Sequence, residues 1–459
     1  MRCVGVEIVG AIGRRPGRRM LKATGVSTDS RAVKPGEIFF ALAGRRCDGH
    51  DFVRDALARG AAAAVVSRPL PVEPGDRKRV VRVADTLRAL GESARAYRRA
   101  WRGVVVAVTG SNGKTTTREM IHHILQDSVP CKRSPKSFNT DVGVPLTLFL
   151  ADAEDKALIV EMGTNAAGEI SHLAAVAEPD MGVVTNVGES HLEGLGSLDG
   201  VARAKGELLE ALPGPGTAFL NADDPRCGFL RMRANCTVET FGLDRDADVR
   251  GMDVQPTAQG HDFAVSGSVR ASLRVPGLHN VRNALAALAV GRRLGVPLQD
   301  AAERLGDFRL PDLRCQVERI HGVTVVADCY NANPVSMRAA LETFGAMTTV
   351  GRRAAVFGDM LELGEESIHF HENLGGEAAK KVDALWAVGR YAGLVAESAR
   401  AHGLKGPARG GADLGEIADE VFDYLRPGDA LLVKGSRGMR LEELVERFRA
   451  RCPAAAERV

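Results

Sequence analysis

The chain has 459 residues, with 61 Lys and Arg against 58 Asp and Glu, a formal net charge of +3 and 45% hydrophobic residues. This length corresponds to about three domains of roughly 150 residues each. The mildly basic balance lacks the concentrated charge of a nucleic-acid-binding domain, so no nucleic-acid partner is expected. The eight cysteines are scattered without a C-x-x-C pair, which argues against a disulfide framework or a zinc site and favours a reducing compartment.

Membrane and export signals are missing from the sequence pattern. No apolar run approaches the roughly 20 residues that cross a bilayer, and the N-terminus lacks a signal-peptide core. We therefore expect a cytoplasmic protein without a membrane span.

Short β-branched runs alternate with longer segments rich in alanine and leucine along the whole chain, which predicts parallel α/β sheets. The predicted strands include Ala63–Val66, Val104–Val108, Ala157–Val160, Gly182–Thr185, Thr324–Ala327, Ala354–Phe357, Ala384–Val388 and Ala430–Val433. The segment Cys236–Val275 predicts antiparallel strands appended to the central domain. Two breaks, at Pro69–Lys78 and Gly306–Arg314, suggest domains over residues 1–84, 85–311 and 312–459.

The most informative segment is the glycine-rich stretch Thr109–Thr117, which follows a predicted strand and precedes a predicted helix after Thr117. Such a turn aims backbone N–H groups and a helix N-terminus at one anion. Lys114 can add its charge on the β- and γ-phosphates of a nucleotide, and the Thr115 hydroxyl is placed to ligate Mg²⁺. The spacing is a shortened variant of the phosphate loop. The alternative interpretation is a glycine-rich turn with a solvated lysine.

Two polar residues follow later strands of the same predicted sheet. Glu161 ends the strand Ala157–Val160, at the edge where parallel sheets carry their ligands, so it could hold Mg²⁺ or orient water. His191 follows Gly182–Thr185 in a loop on the same side. The alternatives are a glutamate that faces solvent and a histidine on the polar surface.

Lys205 falls on the apolar face of a predicted helix. It shares three-and-four spacing with Leu198, Val201, Leu208, Leu209 and Leu212. A buried unpaired ammonium is costly, which predicts a neutral, paired or modified lysine. The alternative is a lysine whose stem is buried and whose head reaches water.

Polar residues also open or follow elements in the last part of the chain. Asn280 and Asn283 begin an alanine-rich helix and could contact a base, but from spacing alone the favoured interpretation of Asn280 is a helix cap that needs no ligand. Arg314 precedes a strand that ends at Asp328, and the polar turn Asp328–Pro334 comes next. An arginine from a separate domain could reach a transferring phosphate and couple domain closure to chemistry.

The chain resembles the ATP-dependent Mur ligase family of peptidoglycan synthesis, from about Ser27 to Glu443. The segments that carry the resemblance are TGSNGKTT (109–116), DCYNANPVSM (328–337) and VFGDMLELGEESIHFHENLG (356–375). The last two are typical of the subgroup that joins D-alanyl-D-alanine to a UDP-N-acetylmuramoyl-tripeptide. The resemblance implies a monomeric amide ligase that works through an acyl phosphate and releases ADP and phosphate. It implies a central P-loop parallel-sheet domain between an N-terminal α/β substrate domain and a C-terminal Rossmann-like domain.

The resemblance also implies roles for individual residues. The implied ATP contacts are Gly110, Ser111, Asn112, Gly113, Lys114, Thr115, Thr116, Asn280, Asn283, Arg314, Asp328, Tyr330 and Asn333. The implied substrate contacts are Ser30, Arg31, Asp48, His50, Asn139 and Asp141 for the nucleotide-sugar peptide, and Lys434, Ser436 and Arg437 for the dipeptide. Two Mg²⁺ ions would be held by Thr115, Glu161, His191 and Lys205, the last as a carbamate. The implied catalytic residues are Lys114, His191, Lys205 and Arg314.

Some alternatives remain open at this stage. Thr140 and Gly438 depart from the asparagine and serine usual in the family. Two enzymes of the same fold, the ligase that adds the third residue of the tripeptide and folylpolyglutamate synthase, are rival interpretations. A nucleotide-binding switch without ligation and an inactive scaffold are rivals of other classes.

Overall fold

The computed structural model describes residues 4–12, 15–44, 47–311 and 313–451, and its sheets fall into three consecutive segments. The described elements of the first segment are β1 Val4–Ile12, β2 Arg15–Ala23, β3 Val26–Ser27, β4 Ile38–Phe40, α1 Val53–Ala58, β5 Ala63–Val66, β6 Val80–Arg82 and α2 Thr86–Ala100, with 3₁₀ turns at Gly49–Phe52 and Pro74–Arg79. Strands β1 and β2 form an antiparallel hairpin. Strands β3-β4-β5-β6 form a parallel sheet in chain order.

Helix α2 joins the first segment to the second. Asp85 caps it by accepting hydrogen bonds from the backbone N–H groups of Leu87 and Arg88. Its residue Leu90 packs into the core beneath the parallel β3–β6 sheet, whereas Ala94 packs into a core of the central segment. The predicted boundary at residue 84 therefore lies just before a helix that contacts both neighbours, and it stays a prediction.

The second segment contains the largest sheet. Its described elements are β7 Val104–Thr109, α3 Lys114–Leu125, β8 Cys131–Arg133, α4 Gly143–Leu148, β9 Ala157–Glu161, α5 Glu169–Ala177, β10 Met181–Val184, α6 Leu192–Leu195, α7 Leu198–Glu210, β11 Thr217–Asn221, α8 Cys227–Arg231, β12 Thr237–Gly242, β13 Val249–Pro256, β14 His261–Val265, β15 Val269–Leu273, α9 Leu278–Arg293 and α10 Leu298–Leu305. The strand order is β15-β14-β13-β12-β11-β10-β7-β9-β8.

Strand β7 lies inside this sheet, between β10 and β9, and it is parallel to both. Its apolar run is buried because helices cover both faces, as is usual for parallel sheets. The carboxyl ends of β7, β9 and β10 therefore meet at one edge, where the glycine-rich loop and Glu161 lie.

The edge of the central sheet departs partly from the prediction for Cys236–Val275. Strands β13, β14 and β15 are antiparallel, as predicted. Strand β12 is parallel to both β11 and β13, so it continues the parallel sheet. Alternating apolar residues do not distinguish a parallel strand from an antiparallel one here, since a strand at the margin of a parallel sheet also exposes one face.

The third segment forms a second, separate α/β sheet. Its described elements are β16 Gln316–Ile320, β17 Val323–Asp328, α11 Pro334–Ala346, β18 Arg353–Gly358, α12 Ser367–Ala378, β19 Ala384–Val388, α13 Ala392–Ala401, β20 Ala408–Gly411, α14 Leu414–Tyr424, β21 Ala430–Lys434 and α15 Glu442–Ala450, with 3₁₀ turns at Gly364–Glu366 and Arg437–Met439. The strand order is β16-β17-β21-β18-β19-β20, and only the β16–β17 pair is antiparallel. None of the helices in the described ranges has the length and apolar character that a membrane crossing requires.

Candidate active site

A cavity of about 990 Å³ opens between the carboxyl edges of the central and third sheets. Many of the residues predicted from the sequence line it: Ser111, Asn112, Gly113, Lys114, Thr115, Thr116, Asn139, Asp141, Glu161, His191, Asn280, Asn283, Arg314, Asp328, Tyr330, Asn333, Lys434, Ser436 and Arg437. Parallel α/β sheets bind ligands at this edge, so the location agrees with the topology.

The glycine-rich loop turns sharply because two of its glycines adopt positive φ. Gly110 has φ +148°, and a Cβ there would lie 1.8 Å from the Thr185 hydroxyl. Gly113 has φ +80° and is the N-cap of α3. The helix therefore begins at Lys114, so the prediction that it begins after Thr117 was wrong. The earlier start places the helix N-terminus directly at the cavity.

Lys114 folds back over its own loop. Its ammonium donates to the Gly110 carbonyl at 2.7 Å and approaches the Ser111 carbonyl at 3.4 Å. Burial lowers the pKa of Lys114, and the nearby positive charge of Arg314 acts in the same direction, whereas the Glu161 carboxylate opposes the shift. The lysine is held where an incoming phosphate would meet it.

Glu161 is the acid of this edge, and it is buried rather than exposed to solvent. One carboxylate oxygen accepts from the Thr115 hydroxyl at 2.8 Å, and the other accepts from the Asn139 amide at 2.9 Å. The backbone N–H of Glu161 donates to the Ser134 hydroxyl at 3.0 Å. The carboxylate orientation is therefore fixed by several independent contacts.

Sequence reasoning missed Arg118, which also holds Glu161. Its guanidinium donates at 2.9 Å to Glu161 Oε2, the oxygen that also accepts from the Thr115 hydroxyl. The side chains of Arg118 and Glu161 are each only 2% exposed. A second nitrogen pairs with Glu119 at 2.5 Å. Its burial could have been predicted from the sequence, because Arg118 lies three and seven residues before the apolar Ile121 and Leu125 on one helix face. The same kind of spacing predicted the burial of Lys205.

Lys205 lies on the buried face of α7, as its spacing predicts, and it is 1% exposed. It does not line the cavity. Among the residues that the structure describes, no hydrogen-bond partner of its ammonium is found. Burial lowers the pKa of Lys205 well below its usual 10.5, and the positive charge of Lys114 lowers it further. The amine is therefore favoured in its neutral form, which is the form that can react with CO₂.

Contacts across the cavity join the central and third sheets. Arg314 donates to the Thr115 hydroxyl at 3.0 Å, and its guanidinium lies 4.1 Å from the centre of the Tyr330 ring. His191, with φ +54°, approaches the Glu362 carboxylate at 2.6 Å, and the histidine lowers the pKa of Glu362. The two sheets therefore meet through charged and aromatic side chains at the phosphate loop.

The buried Lys434 forms an ion pair at 2.6 Å with Asp328, which is partly buried. They are register partners on the adjacent strands β17 and β21, and the Lys434 ammonium also donates to the Asn331 carbonyl at 3.0 Å. Ser436 accepts from the backbone N–H of Leu361 at 2.9 Å, and Arg437 pairs with Glu442 at 2.8 Å. These polar groups line the cavity with protein partners already in place.

The first turns of α9 form a third wall of the cavity. Gly277 is the N-cap, so the interpretation of Asn280 as a cap was wrong. The Asn280 amide donates to the Pro276 carbonyl at 2.7 Å, and Asn283 donates to Asn280 at 3.2 Å. His279, which was not among the predicted site residues, also lines the cavity, and burial lowers its pKa to about 4.

The three segments each match a described family domain. Residues 22–98 match the "Mur ligase family, catalytic domain", residues 108–291 the "Mur ligase middle domain" and residues 313–437 the "Mur ligase, glutamate ligase domain". A relative from Bacillus subtilis (strain 168) named UDP-N-acetylmuramoyl-tripeptide--D-alanyl-D-alanine ligase is 36% identical over 426 residues, which cover 92% of this chain and 92% of the relative. The chain belongs to the Mur ligase family. This confirms the family predicted from the sequence.

Solved structures confirm the predicted three-part fold of this Mur ligase. A crystal structure of MurF from Acinetobacter baumannii is 31% identical, covers 94% of both chains and superposes with a TM-score of 0.86. The MurF ligase from Thermotoga maritima, solved in complex with ADP, is 30% identical, with a TM-score of 0.80 over 93% of this chain and 97% of that one.

The donor set of this Mur ligase near the phosphate loop suits a hard cation. The Thr115 hydroxyl and the Glu161 carboxylate are adjacent, and both face the cavity. Mg²⁺ is commonly held by one or two carboxylates together with substrate phosphates, rather than by a full protein cage. In the described ranges no group of three or more His, Cys, Asp or Glu residues forms such a cage. The residues present therefore fit Mg²⁺ that is bound together with a nucleotide.

The predicted residues of the first segment lie away from this cavity. Asp48 accepts from the His50 ring at 2.6 Å, and backbone and side-chain hydrogen bonds from His50 lower the pKa of Asp48 to about 2. The other ring nitrogen of His50 accepts from the Ser67 backbone N–H at 2.9 Å. Ser30 is buried, and the exposed Arg31 pairs with Asp29 at 2.8 Å. These residues are therefore not brought together with the phosphate loop.

Proposed function

We propose that this Mur ligase joins D-alanyl-D-alanine to a UDP-N-acetylmuramoyl-tripeptide at the expense of ATP, in the cytoplasmic step of peptidoglycan precursor synthesis. The observation that carries the proposal is the cavity in which the phosphate loop, Glu161 and Arg314 converge. The name of the Bacillus subtilis relative and the ADP complex of the Thermotoga maritima enzyme support it.

The chemistry explains why ATP is required. A free carboxylate is a poor acyl donor, because hydroxide is a poor leaving group. The terminal carboxylate oxygen of the tripeptide attacks the γ-phosphorus of ATP, and the bond to the β–γ bridging oxygen breaks to release ADP. The amine of D-alanyl-D-alanine then attacks the acyl phosphate. The new C–N bond forms, the amine loses a proton, and the C–O bond breaks to release phosphate.

The charges around the phosphate loop suit this transfer. Negative charge develops on the transferring phosphoryl group, and two basic side chains contact the phosphate loop there, Lys114 at the Gly110 carbonyl and Arg314 at the Thr115 hydroxyl. Preorganised charges of this kind act mainly on the transition state. Thr115 and Glu161 would hold a first Mg²⁺, with His191 near a second. Bound Mg²⁺ would neutralise phosphate charge and fix the geometry of the transfer.

Lys205 is proposed to be carbamylated. Its buried, low-pKa amine can form a carbamate by adding to CO₂, with loss of one proton. The product is an anion, which would attract the Lys114 ammonium and the Mg²⁺ ions, whereas a protonated Lys205 would repel them.

The remaining roles follow the family resemblance. We propose that the first segment binds the UDP part of the donor through Ser30, Arg31, Asp48 and His50, with Asn139 and Asp141 nearer the peptide. The residues proposed for nucleotide binding are Gly110, Ser111, Asn112, Gly113, Thr116, Asn280, Asn283, Asp328, Tyr330 and Asn333. Lys434, Ser436 and Arg437 are proposed for the dipeptide side. The domains are taken as 1–84, 85–311 and 312–459, in a monomer.

Release of phosphate tests the proposal. Phosphate formation should require ATP, a UDP-muramoyl-tripeptide and D-alanyl-D-alanine together. Tripeptides that end in different diamino acids would identify the donor. Phosphate release that ignores the dipeptide would favour a nucleotide switch, and release with folate and glutamate would favour the folylpolyglutamate rival. Addition of a diamino acid to a dipeptide donor would favour the other Mur ligase activity.

A further inference from the structure

Two asparagine amides form a reciprocal pair across the cavity. Asn112 belongs to the phosphate loop, and Asn333, which is 221 residues later in the chain, precedes α11 of the third segment. The Asn112 amide nitrogen donates to Asn333 Oδ1 at 3.2 Å, and the Asn333 amide nitrogen donates to Asn112 Oδ1 at 2.9 Å. Each side chain therefore satisfies a donor and an acceptor of the other.

Within the described residues, the backbone of Asn112 is held by two residues of the central segment that follow β10. Its N–H donates to Asn186 Oδ1 at 3.0 Å, and its carbonyl accepts from the Asn186 amide at 3.0 Å and from the Thr185 hydroxyl at 2.5 Å. These contacts fix the peptide at the centre of the phosphate loop. They leave the side chain to reach the third segment.

Asn333 is also held by hydrogen bonds within the third segment. It is 6% exposed and forms a capping box with Ser336. Its Oδ1 also accepts from the Ser336 backbone N–H at 2.9 Å, and its own N–H donates to the Ser336 hydroxyl at 3.0 Å. The helix start therefore presents the Asn333 amide to the loop in one orientation.

We propose that Asn333 is a positioning residue, which fixes the phosphate loop through Asn112 when the third segment is docked. The loop conformation that receives the nucleotide phosphate then depends on contact with the third segment. The link to nucleotide rests on the proposed function, whereas the link between Asn333 and loop order does not.

The substitution Asn333→Asp removes the hydrogen bond from Asn333 to Asn112 but keeps the helix cap. Aspartate is as good an N-cap as asparagine, so the hydrogen bond to the Ser336 N–H is retained. The donor to Asn112 is replaced by an oxygen that faces Asn112 Oδ1, which is repulsive. Ser336→Ala is the matched control, because it removes the reciprocal bond of the capping box without touching Asn112.

Hydrogen exchange of the loop amides in the full chain, without any substrate, is the primary measurement. Asn333→Asp should speed exchange in residues 110–117 by about tenfold, and Ser336→Ala should not. Asn112→Ala should speed exchange in its own right. Adding Asn333→Asp to Asn112→Ala should have no further effect, because the two changes remove one interaction. In turnover, Asn333→Asp should lower kcat/KM for ATP by about tenfold.

Equal effects of Asn333→Asp and Ser336→Ala on the loop would overturn the proposal, since a general weakening of the helix start would then explain both. Effects of Asn112→Ala and Asn333→Asp that simply add would also overturn it. If the exchange results hold while the wild-type chain fails to ligate the proposed substrates, the proposed function fails and the positioning role stands.

Discussion

The Thr115 hydroxyl donates a hydrogen bond to the Glu161 carboxylate at 2.8 Å, although the two residues are 46 positions apart. The contact forms because β7 and β9 are parallel neighbours, so the loop after β7 and the last residue of β9 reach the same edge. The two side chains proposed to bind Mg²⁺ are therefore adjacent as a consequence of the strand order.

Replacing Lys114 tests the role of the loop cation. Lys114→Ala should lower phosphate release by about a thousandfold, because a preorganised charge on the transferring phosphoryl group is lost. The thermal unfolding midpoint should change little, since the hydrogen bonds that the described part of the chain offers the ammonium come from carbonyls of its own loop. Lys114→Arg keeps the charge and is the matched variant. Near-normal turnover by the alanine variant would contradict the assignment.

Glu161→Gln separates the charge of the acid from its shape. The change leaves the buried Arg118 with one of its two carboxylate partners missing, so the free energy of unfolding should fall by about 3 kcal/mol. The Mg²⁺ concentration for half-maximal activity should rise about tenfold. Glu119→Gln is the control, because Glu119 also pairs with Arg118 but does not line the cavity. A similar change in Mg²⁺ dependence for both variants would argue against Glu161 as a ligand.

Local sequence patterns predicted the elements well. The strand Ala384–Val388 has the observed bounds, and the buried position of Lys205 follows from helical spacing. A short apolar run predicts a buried strand, and apolar residues spaced three and four apart predict which face of a helix is buried. Both patterns depend only on residues of the same element. They also placed the phosphate loop and Glu161 at strand ends, where the cavity was found.

Contacts between distant segments were less predictable. The pairing of Asp328 with Lys434 depends on β17 lying beside β21, and no local pattern specifies that neighbour. Likewise, the hydrogen bonds of His50 with Asp48 and Ser67 were not predicted, and the ligand contacts proposed for Asp48 and His50 stay a prediction. A polar motif reveals which groups are available but not which protein partners they have.

Arg314→Lys tests whether the planar guanidinium matters beyond its charge. Lysine keeps the charge but loses the stacking over Tyr330 and the directed bond to Thr115. We expect kcat/KM for ATP to fall about a hundredfold, which steady-state kinetics would measure. Tyr330→Phe keeps the ring beneath Arg314 and should cost far less. Equal losses in the two variants would point to the tyrosine hydroxyl instead.

The buried amine of Lys205 gives the chain a pH-dependent stability. Because the pKa of Lys205 is lowered in the folded chain, the unfolded chain binds more protons below pH 10.5. This cost to folding grows by up to about 1.4 kcal/mol per pH unit as the pH falls toward the folded pKa. In CO₂-free buffer, the gain in unfolding free energy from Lys205→Met should therefore increase from about pH 9 to about pH 7.

A matched lysine controls this measurement. Lys132 pairs with Asp152 at 2.9 Å, and its pKa is raised, so Lys132→Met should give no growing gain as the pH falls. A gain from Lys205→Met that stays constant or shrinks would contradict a depressed pKa. In ¹³C-labelled bicarbonate, the wild-type chain should show a carbamate resonance that Lys205→Met lacks.

Transfer of oxygen from substrate to phosphate tests the proposed ligation most directly. With ¹⁸O in the terminal carboxylate of the UDP-muramoyl-tripeptide, one labelled oxygen should appear in each phosphate released, and only when D-alanyl-D-alanine is present to form the pentapeptide product. Mass spectrometry of the phosphate and the product measures both. Unlabelled phosphate would mean that water attacks ATP directly, and it would contradict an acyl-phosphate ligase.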